Sequence, residues 1–364
     1  MMILACYFGN ERNAMGDGYK NLLNAFPNKK NIYVIIPHAY NESEFSTDFA
    51  GVERENLSNK GKMKRFPAII EYAADLAKRF KSVEDTIKIF FYHDQFAYDY
   101  FILKKIINSG STVWLHDPIQ HEGTRTLEKY YRTCSFYLLF DKIKTFILSY
   151  EAAKKLVQYD KRLRCLINRT TVLPLPTLPE LEFEDIKTSE IPIKYDYIFW
   201  GRIELYKGLE FLIETLKDEY FKGKKILIIG KGSDAEKVKK MVVNQPNITF
   251  INRYVENREL AKYICASRCA VLPYISATGS QTVSVANYYN RMVVASNVGC
   301  FPEYISNGKN GFIFQVLDKS DFIEKLQMID KINLKKQEIF IQEEYKKHDI
   351  KVIAKKLYNI IIKD

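Results

Sequence analysis

The feature that most constrains this chain is an alternation of short apolar runs with amphipathic stretches, and it occurs twice. In the first half the apolar runs are MMILACYF, NIYVIIPHAY, TIKIFFYHD and STVWLHDP, and stretches such as FPAIIEYAADLAKRF separate them. In the second half the runs are YDYIFWG, KKILIIG, ITFINRY and CAVLPY. This alternation is typical of parallel sheets wound with helices. We therefore predict an α/β chain with two doubly wound, Rossmann-like domains.

Length and proline content suggest where the domains meet. A chain of 364 residues is long for a single hydrophobic core. Residues 171–193 are proline-rich and have no clear periodicity, which is typical of a linker. We predict an N-terminal domain over residues 1–175, a linker over 176–195, and a C-terminal domain over 196–345. The basic amphipathic segment 346–364 is expected to pack back on the first domain.

Charge and apolar content limit the partners and the compartment. The net charge of +11 favours anionic partners, but the basic residues are dispersed and match no nucleic-acid-binding module. No apolar run reaches the roughly 20 residues of a membrane span, and the N-terminus lacks the basic region of a signal peptide. We expect a cytoplasmic protein without a nucleic-acid partner. Residues 127–156 interleave basic and aromatic side chains, which fits either peripheral contact with an acidic membrane at its inner face or buried helix faces.

The six cysteines are scattered along the chain. Cys265 and Cys269 alone lie close together, at a helical spacing and without nearby histidines. This pattern predicts reduced thiols in the core and no metal site.

The first candidate ligand site is a loop after a predicted strand, in the sequence FWGRIELYKG at residues 199–208. Glycine at the carboxyl end of a parallel strand marks the edge where open sheets bind ligands. Arg202 can donate to two phosphate oxygens, Lys207 supplies a compact positive charge, and Gly201 and Gly208 allow close approach. The loop is predicted to bind a diphosphate, the alternative being a solvated surface loop.

Two further segments repeat glycine at a strand end. Gly230 and Gly232 form a GxG turn without the third glycine and the acidic residue of a dinucleotide site, so a nicotinamide cofactor is disfavoured. A nucleotide contact at Gly230 and a tight packing turn both fit. The last segment offers hydroxyls, an amide and a helix start to donor phosphates, or alternatively an ordinary helix cap. Its candidate residues are Thr278, Gly279, Ser280, Gln281 and Thr282.

The first half also places polar residues after predicted strands. His116, Asp117 and His121 follow one strand closely, and a zinc site there would lack a third ligand at a motif spacing. His93 ends the preceding strand and fits either a cleft or a structural role. Gly16 and Gly18 are expected in a flexible loop before a helix that starts at residue 19, either against a ligand or as a plain connection. No Asp-any-Asp pair follows a strand, so no obligatory metal is expected.

Residues 199–314 resemble the C-terminal domain of family 4 glycosyltransferases, retaining enzymes of GT-B fold. The matching pieces are GRIELYKG, LIIGKGSD, NITFINRYVENRELAKYICASRCAVLPY and VVASNVGCFPEYISNGKNGFIF. The resemblance implies two Rossmann-like domains that face a central cleft. It also implies that Arg202 and Lys207 bind the donor diphosphate.

The resemblance assigns further expected contacts. Arg253, Tyr254 and Val255 would lie against the nucleotide base, with Glu259 on a helix beside it. His116 with Asp117 would contact donor-sugar hydroxyls at the reaction centre. The remaining expected contacts are His121 and His93 to donor sugar or acceptor, Gly16 and Gly18 to donor phosphates or acceptor, and Gly201 and Gly230 to the donor.

One departure from the family pattern is clear. Ala277 and Val285 occupy the positions of a glutamate pair that in the family touches the donor sugar and the ribose. Some members resemble this chain in having a Thr-Gly or Ser-Gln loop there, whose hydroxyls and amides could replace the carboxylates. The donor sugar, the ribose contact and the activity are therefore left open.

The predicted function is transfer of a sugar from a nucleoside-diphosphate sugar to an acceptor hydroxyl, with retention and without an obligatory cofactor. The expected enzyme is a hexosyltransferase of surface polysaccharide, lipopolysaccharide or glycoconjugate synthesis, acting on a saccharide or lipid-linked saccharide. A catalytically silent partner subunit of another transferase and a sugar-nucleotide epimerase are the alternatives.

Overall fold

The computed structural model describes residues 1–8, 14–55, 57, 62–81, 87–93, 105–106, 111–115, 143–148, 168–174, 186, 190–277 and 280–363. The chain divides into two compact units. The first comprises Met1–Pro176 with Ile350–Asp364, and the second comprises Thr177–Asp349. Each unit is built on its own parallel sheet. Within the described part of the chain, no helix combines the length and the apolar composition needed to cross a membrane.

The sheet of the first unit has the strand order β3-β2-β1-β4-β5-β6-β7. Its described strands are β1 (Met2–Tyr7), β2 (Ile32–Ile36), β3 (Gly51–Arg54), β4 (Ile87–His93), β5 (Ser111–Leu115), β6 (Ile143–Leu148) and β7 (Thr170–Val172). Its described helices are α1 (Ala14–Asn24), α2 (Lys62–Lys81) and α10 (Ile350–Lys363).

Both faces of the first sheet are covered, which explains why its central strands are mainly apolar. One core cluster joins β1 and β4 to helix α2, and the other joins the opposite face to α1 and α10. Helix α10 contributes Ile353, Ala354, Leu357 and Ile361, which are fully buried and recur at helical spacing.

Three strands of the first unit depart from the sequence-based expectations. Residues 51–54 were not expected to form a strand. Ile143–Leu148 belongs to a basic and aromatic segment considered for membrane contact, but it forms β6, in which Ile143, Thr145 and Ile147 are buried. Thr171, which begins the proline-rich stretch 171–193 and falls within the predicted N-terminal domain, lies in β7. Strands as short as β3 and β7 carry too few residues for a periodic signal, and pairing with a neighbouring strand decides them.

The glycine loop predicted in the first half is also revised. Gly16 and Gly18 lie inside helix α1, which begins at Ala14, and both are buried. A Cβ atom at Gly16 would come within 2.3 Å of the Tyr40 hydroxyl. At this position glycine therefore allows the helix to pack closely against Tyr40.

The sheet of the second unit has the order β10-β9-β8-β11-β12-β13. Its strands are β8 (Tyr195–Trp200), β9 (Ile226–Ile229), β10 (Ile248–Ile251), β11 (Ser267–Leu272), β12 (Met292–Ser296) and β13 (Gly311–Phe314). Its helices are α3 (Leu209–Thr215), α4 (Ala235–Val242), α5 (Asn257–Cys265), α6 (Thr282–Tyr288), α7 (Phe301–Tyr304), α8 (Lys319–Asp330) and α9 (Leu334–Lys347).

Local capping signals account for two of these helix starts. Asp318 caps α8, and its carboxylate accepts a hydrogen bond of 2.9 Å from the amide of Asp321. Asn333 caps α9 in the same way through the amide of Lys336, at 3.2 Å. Of the predicted core thiols, Cys6, Cys265, Cys269 and Cys300 are buried and are not in disulfides. Cys134 and Cys165 lie outside the described residues.

Strand order places a ligand-binding edge within the second unit. From β8 the chain moves outward to β9 and β10, and it then returns to β11 on the other side of β8. All these pairs are parallel, so the loops that follow β8 and β11 leave the same edge of the sheet side by side. Such a switch in winding direction opens the crevice where α/β sheets bind ligands.

Candidate functional site

The loop after β8 is short and closely packed. Gly201 has a φ of 132°, and a single 3₁₀ turn follows at Leu205–Lys207. Gly208 adopts a left-handed conformation with a φ of 69° and starts helix α3. The sharp turn at Gly208 leaves the Lys207 side chain on the edge where β8 and β11 meet.

The loops after β8 and β11 are joined through their backbones. The amide of Ile275 donates to the carbonyl of Tyr206 at 2.8 Å. A Cβ atom at Gly208 would lie 1.8 Å from the carbonyl oxygen of Pro273. These contacts hold the two loops in one arrangement at the switch point.

Lys207 contacts aromatic rings. Its Nζ donates to the Tyr274 hydroxyl at 2.5 Å and lies 3.9 Å from the centroid of the Tyr274 ring and 5.2 Å from that of Tyr206. Among the described residues, no carboxylate lies within ion-pairing distance of this nitrogen. Burial, together with the charge of Arg202, lowers the pKa of Lys207 to about 8, whereas Glu204 acts in the opposite direction.

Arg202 is the exposed cation of the pair. Its side chain is 72% exposed, and it forms an ion pair of 3.2 Å with Glu204 and a weak contact of 3.4 Å with the Tyr206 hydroxyl. Surface ion pairs of this kind are weak. The guanidinium is therefore able to leave Glu204 for a stronger anion such as a phosphate.

Part of the loop after β11 lies beside the Lys207 contact. The hydroxyls of Ser280 and Thr282 are 2.8 Å apart, and both form hydrogen bonds that act on the Tyr274 hydroxyl. The amide of Ser280 donates to the Cys300 sulfur at 3.3 Å. The hydroxyl groups of Ser280 and Thr282 thus lie close to Lys207 through their shared partner, the Tyr274 hydroxyl. Gln281 lies directly before α6, whereas Thr278 and Gly279 are outside the described residues.

The GxG turn after β9 packs against the first loop. A Cβ atom at Gly230 would lie 1.9 Å from the Gly201 carbonyl oxygen, and one at Gly232 would lie 2.2 Å from that of Ile203. The amide of Gly230 donates to Ile251 at 3.0 Å. That amide is already bonded within the sheet, and the two glycines allow the loops after β8 and β9 to touch.

The region expected against the nucleotide base follows β10. Arg253 is exposed and forms a bidentate ion pair with Glu259. Glu259 lies in the first turn of α5, and its hydrogen bonds raise the pKa of Arg253. Tyr254 is 76% exposed, whereas Val255 is 6% exposed. Arg253, Tyr254 and Glu259 thus offer accessible groups at the same edge of the sheet, and Val255 belongs to the core.

Ala277 and Val285, where the resemblance would place glutamates, differ in their surroundings. Ala277 is half-buried, and its carbonyl oxygen lies 2.5 Å from where a Cβ atom at Gly299 would be. Val285 lies in α6 and is 6% exposed. The second position is therefore a core position in this chain.

The candidate residues of the first unit remain predictions. His116, Asp117 and His121 lie outside the described residues, as does the side chain of His93, which ends β4. In the part of the chain that is described, no group of three or more His, Cys, Asp or Glu side chains could hold a metal ion.

Sequence reasoning missed Tyr274 and Cys300. The signal available for Tyr274 was its place directly after Pro273 at the end of a strand. Cys300 follows Gly299, which has a φ of 54° after β12. Both become site residues because β8, β11 and β12 are neighbours in the sheet.

Comparison with known proteins finds similarity in the region of the chain that contains these loops. Residues 194–329, which span β8 to α8, match a family model described as "Glycosyl transferases group 1". A Klebsiella pneumoniae protein described as "Uncharacterized 41.2 kDa protein in cps region" is 27% identical over 133 residues. That match spans 36% of this chain and 36% of the relative.

Solved structures match the whole chain. Anabaena Alr3699/HepE in complex with UDP superposes with a TM-score of 0.70 at 11% identity, over 100% of both chains. The lipopolysaccharide outer core galactosyltransferase WaaB gives 0.69 at 14% identity, over 100% of this chain and 99% of that one. The chain therefore has the two Rossmann-like domains of GT-B glycosyltransferase structures. The match to the group 1 model is confined to residues 194–329 of the second unit.

Proposed function

We propose that this chain is a glycosyltransferase that moves a sugar from a nucleoside-diphosphate sugar to an acceptor hydroxyl. The donor diphosphate would bind at the switch point of the second sheet, against Arg202 and Lys207. The proposal includes retention of configuration and independence from a metal ion. It also includes hexosyl transfer in surface polysaccharide, lipopolysaccharide or glycoconjugate synthesis, at the cytoplasmic face of an acidic membrane, to a saccharide or lipid-linked saccharide.

The main support for the proposal is the environment of the Lys207 ammonium group. A half-buried ammonium group that meets no carboxylate among the described residues is unfavourable unless the site serves an anion. A diphosphate would supply the missing negative charge, and the exposed Arg202 would add a bidentate contact.

These two cations suit the chemistry of a diphosphate leaving group. When the bond between sugar and phosphate breaks, negative charge grows on the departing diphosphate. Cations placed in advance stabilise that charge, and they do so more strongly where water is partly excluded. Lys207 and Arg202 would share this role, which a metal ion fills in other transferases.

Similar proteins support this choice of ligand. HepE structures are described as complexes with UDP and with UDP-glucose. WaaB is described as a lipopolysaccharide galactosyltransferase, and the Klebsiella relative as a protein of a cps region. We therefore choose UDP as the first ligand to test.

Calorimetry with UDP and GDP tests the binding part of the proposal. Arg202→Ala removes the contacts of the guanidinium with the diphosphate. Its affinity for whichever of UDP and GDP binds the native protein more tightly should fall at least about tenfold, as expected for hydrogen bonds to a charged group. Lys217→Ala is the matched control, because Lys217 is an exposed cation paired with Glu214 at the end of α3. Equal affinity of native protein and Arg202→Ala would contradict the proposed diphosphate site.

A silent partner subunit is the second candidate, and Ala277 and Val285 at the family glutamate positions favour it. Such a protein would bind UDP and release no sugar from any donor. Incubation with a panel of labelled sugar nucleotides, with product analysis for free sugar, transferred sugar and isomerised donor, separates the transferase, the silent subunit and an epimerase.

A further inference from the structure

Tyr274 is a buried polar residue to which the sequence pattern assigns no role. It follows β11 by two positions and is 1% exposed. Its ring centroid lies 5.0 Å from that of Phe301, 6.2 Å from Tyr206 and 6.5 Å from Phe199. Its carbonyl oxygen accepts a hydrogen bond of 2.5 Å from the Ser296 hydroxyl. Packing and backbone contacts therefore hold this ring in one place.

The contact between Tyr274 and Lys207 has two parts. The ammonium lies over the ring, 3.9 Å from its centroid, and donates to the hydroxyl at 2.5 Å. The face of a tyrosine ring attracts a cation, and the hydroxyl oxygen accepts a hydrogen bond from it. Burial raises the pKa of Tyr274 to about 12, so the partner of the lysine is a neutral phenol at physiological pH.

A neutral partner has a consequence for anion binding. A carboxylate in place of the phenol would neutralise the lysine, and an incoming diphosphate would have to displace it. A phenol orients the ammonium and leaves its whole charge for the ligand. This arrangement therefore keeps the Lys207 ammonium group oriented in its half-buried site before the anion binds.

We propose that Tyr274 is the positioning residue for Lys207, holding its ammonium group at the switch point for an incoming diphosphate. The inference rests on the proposed function, since it names how the same site prepares its cation. It assigns no contact between Tyr274 and the reacting atoms.

The same hydroxyl links the lysine to the neighbouring loop. Ser280 and Thr282 form side-chain hydrogen bonds that act on the Tyr274 hydroxyl, and they lie 2.8 Å from each other. Tyr274 therefore connects Lys207 with the loop predicted to hold the donor phosphates. Removing its hydroxyl disconnects two parts of the site at once.

Tyr274→Phe removes the hydroxyl and keeps the ring, whereas Tyr274→Leu removes both. Tyr197→Phe is the matched control, since Tyr197 is also 1% exposed and its hydroxyl contacts Tyr220, at 2.6 Å, and Asp330. Two measurements are made on each folded variant. One is the UDP affinity by calorimetry from pH 7.5 to 9.5. The other is the pKa of the Lys207 side chain without ligand, by NMR of lysine-labelled protein with the signal assigned from Lys207→Arg.

We expect Tyr274→Phe to bind UDP about tenfold more weakly, because a hydrogen bond to a charged group is lost. The Lys207 pKa should fall below its native value, since the lost bond favoured the charged form. Tyr274→Leu should bind more weakly still, and Tyr197→Phe should match the native protein in both measurements. If Tyr274→Leu does not fold, Tyr274→Phe carries the test alone.

One outcome would overturn this inference and leave the proposed function intact. In it the native protein binds UDP, and Tyr274→Phe has the same UDP affinity and the same Lys207 pKa as the native protein. Native protein that binds neither UDP nor GDP nor pyrophosphate would overturn the proposed function itself. A merely structural role for Tyr274 would lower stability without moving the Lys207 pKa.

Discussion

Gly208 lies directly against Pro273, so that a Cβ atom on the glycine would be 1.8 Å from the carbonyl oxygen of the proline. The φ of Gly208 is 69°, a left-handed value that residues with a Cβ atom rarely adopt. This contact joins the loop that carries Lys207 to the segment that carries Tyr274. The close approach of two backbones thus sets the geometry of the proposed diphosphate site.

Gly208→Ala should therefore destabilise the protein and weaken UDP binding together. The left-handed conformation costs about 1–2 kcal/mol for a residue with a Cβ atom, and relieving the overlap with Pro273 should cost about 1–3 kcal/mol more. Gly223→Ala is the matched control, because Gly223 has a φ of 80° and a Cβ atom added there would meet no atom within 4 Å. Urea unfolding should show the larger loss for Gly208→Ala, and equal losses would mean that the backbone contact is unimportant.

The pKa of Lys207 predicts how UDP affinity depends on pH. In the free protein burial lowers that pKa to about 8, and a bound diphosphate would raise it. Above about pH 8 the ligand must then bind together with a proton, and affinity should fall by up to about tenfold per pH unit. Below that pH the contribution of Lys207 should be constant.

Lys207→Arg tests this dependence, because arginine stays protonated throughout the range. Calorimetry from pH 7.5 to 9.5 should show a flat affinity for the variant and a falling one for the native protein. An identical slope in both proteins would assign the pH dependence to another group.

Arg253 offers a test of the expected base contact. Its pair with Glu259 is exposed, so Arg253→Ala should leave the urea midpoint of unfolding unchanged. If this edge of the sheet holds the nucleotide base, UDP affinity should fall severalfold while pyrophosphate affinity stays the same. A parallel loss for UDP and pyrophosphate would instead place Arg253 at the phosphates.

Glutamate substitutions test the two positions, Ala277 and Val285, where the resemblance would place glutamates. Val285 is 6% exposed, so Val285→Glu should cost about 3 kcal/mol because it buries a carboxyl group among apolar neighbours. Ala277→Glu should cost less, since that position is half-buried. Urea unfolding of both variants checks the order, and a stable Val285→Glu variant would show that the family arrangement can be rebuilt in this chain.

Periodicity in the sequence was sufficient to predict the main strands of both sheets. Runs such as those that became β1, β4, β8 and β9 are mainly apolar, because helices cover both faces of a parallel sheet. It failed for β3, β6 and β7, whose residues alternate weakly or carry charge. Such segments become strands because their backbones form hydrogen bonds with neighbouring strands. A pattern of side chains does not predict that pairing.

The sequence predicted some residues of the candidate site but not the contacts between them. Arg202 and Lys207 could be named from glycine, charge and spacing alone. The left-handed turn at Gly208 was equally foreseeable, but its contact with Pro273, 65 positions later, was not. Gly16 shows the reverse case, since a glycine predicted for a loop lies in a helix where Tyr40 leaves no room for a Cβ atom.

By itself the sequence determined the two wound sheets and the cationic loop at the edge of the second, because these depend on local periodicity and local turn chemistry. Only the tertiary structure decided that Lys207 meets the ring and hydroxyl of Tyr274. That pairing exists because β8 and β11 are adjacent in the sheet although they are far apart in the chain. Strand order follows from how the whole sheet buries its apolar faces, and no single segment carries that information.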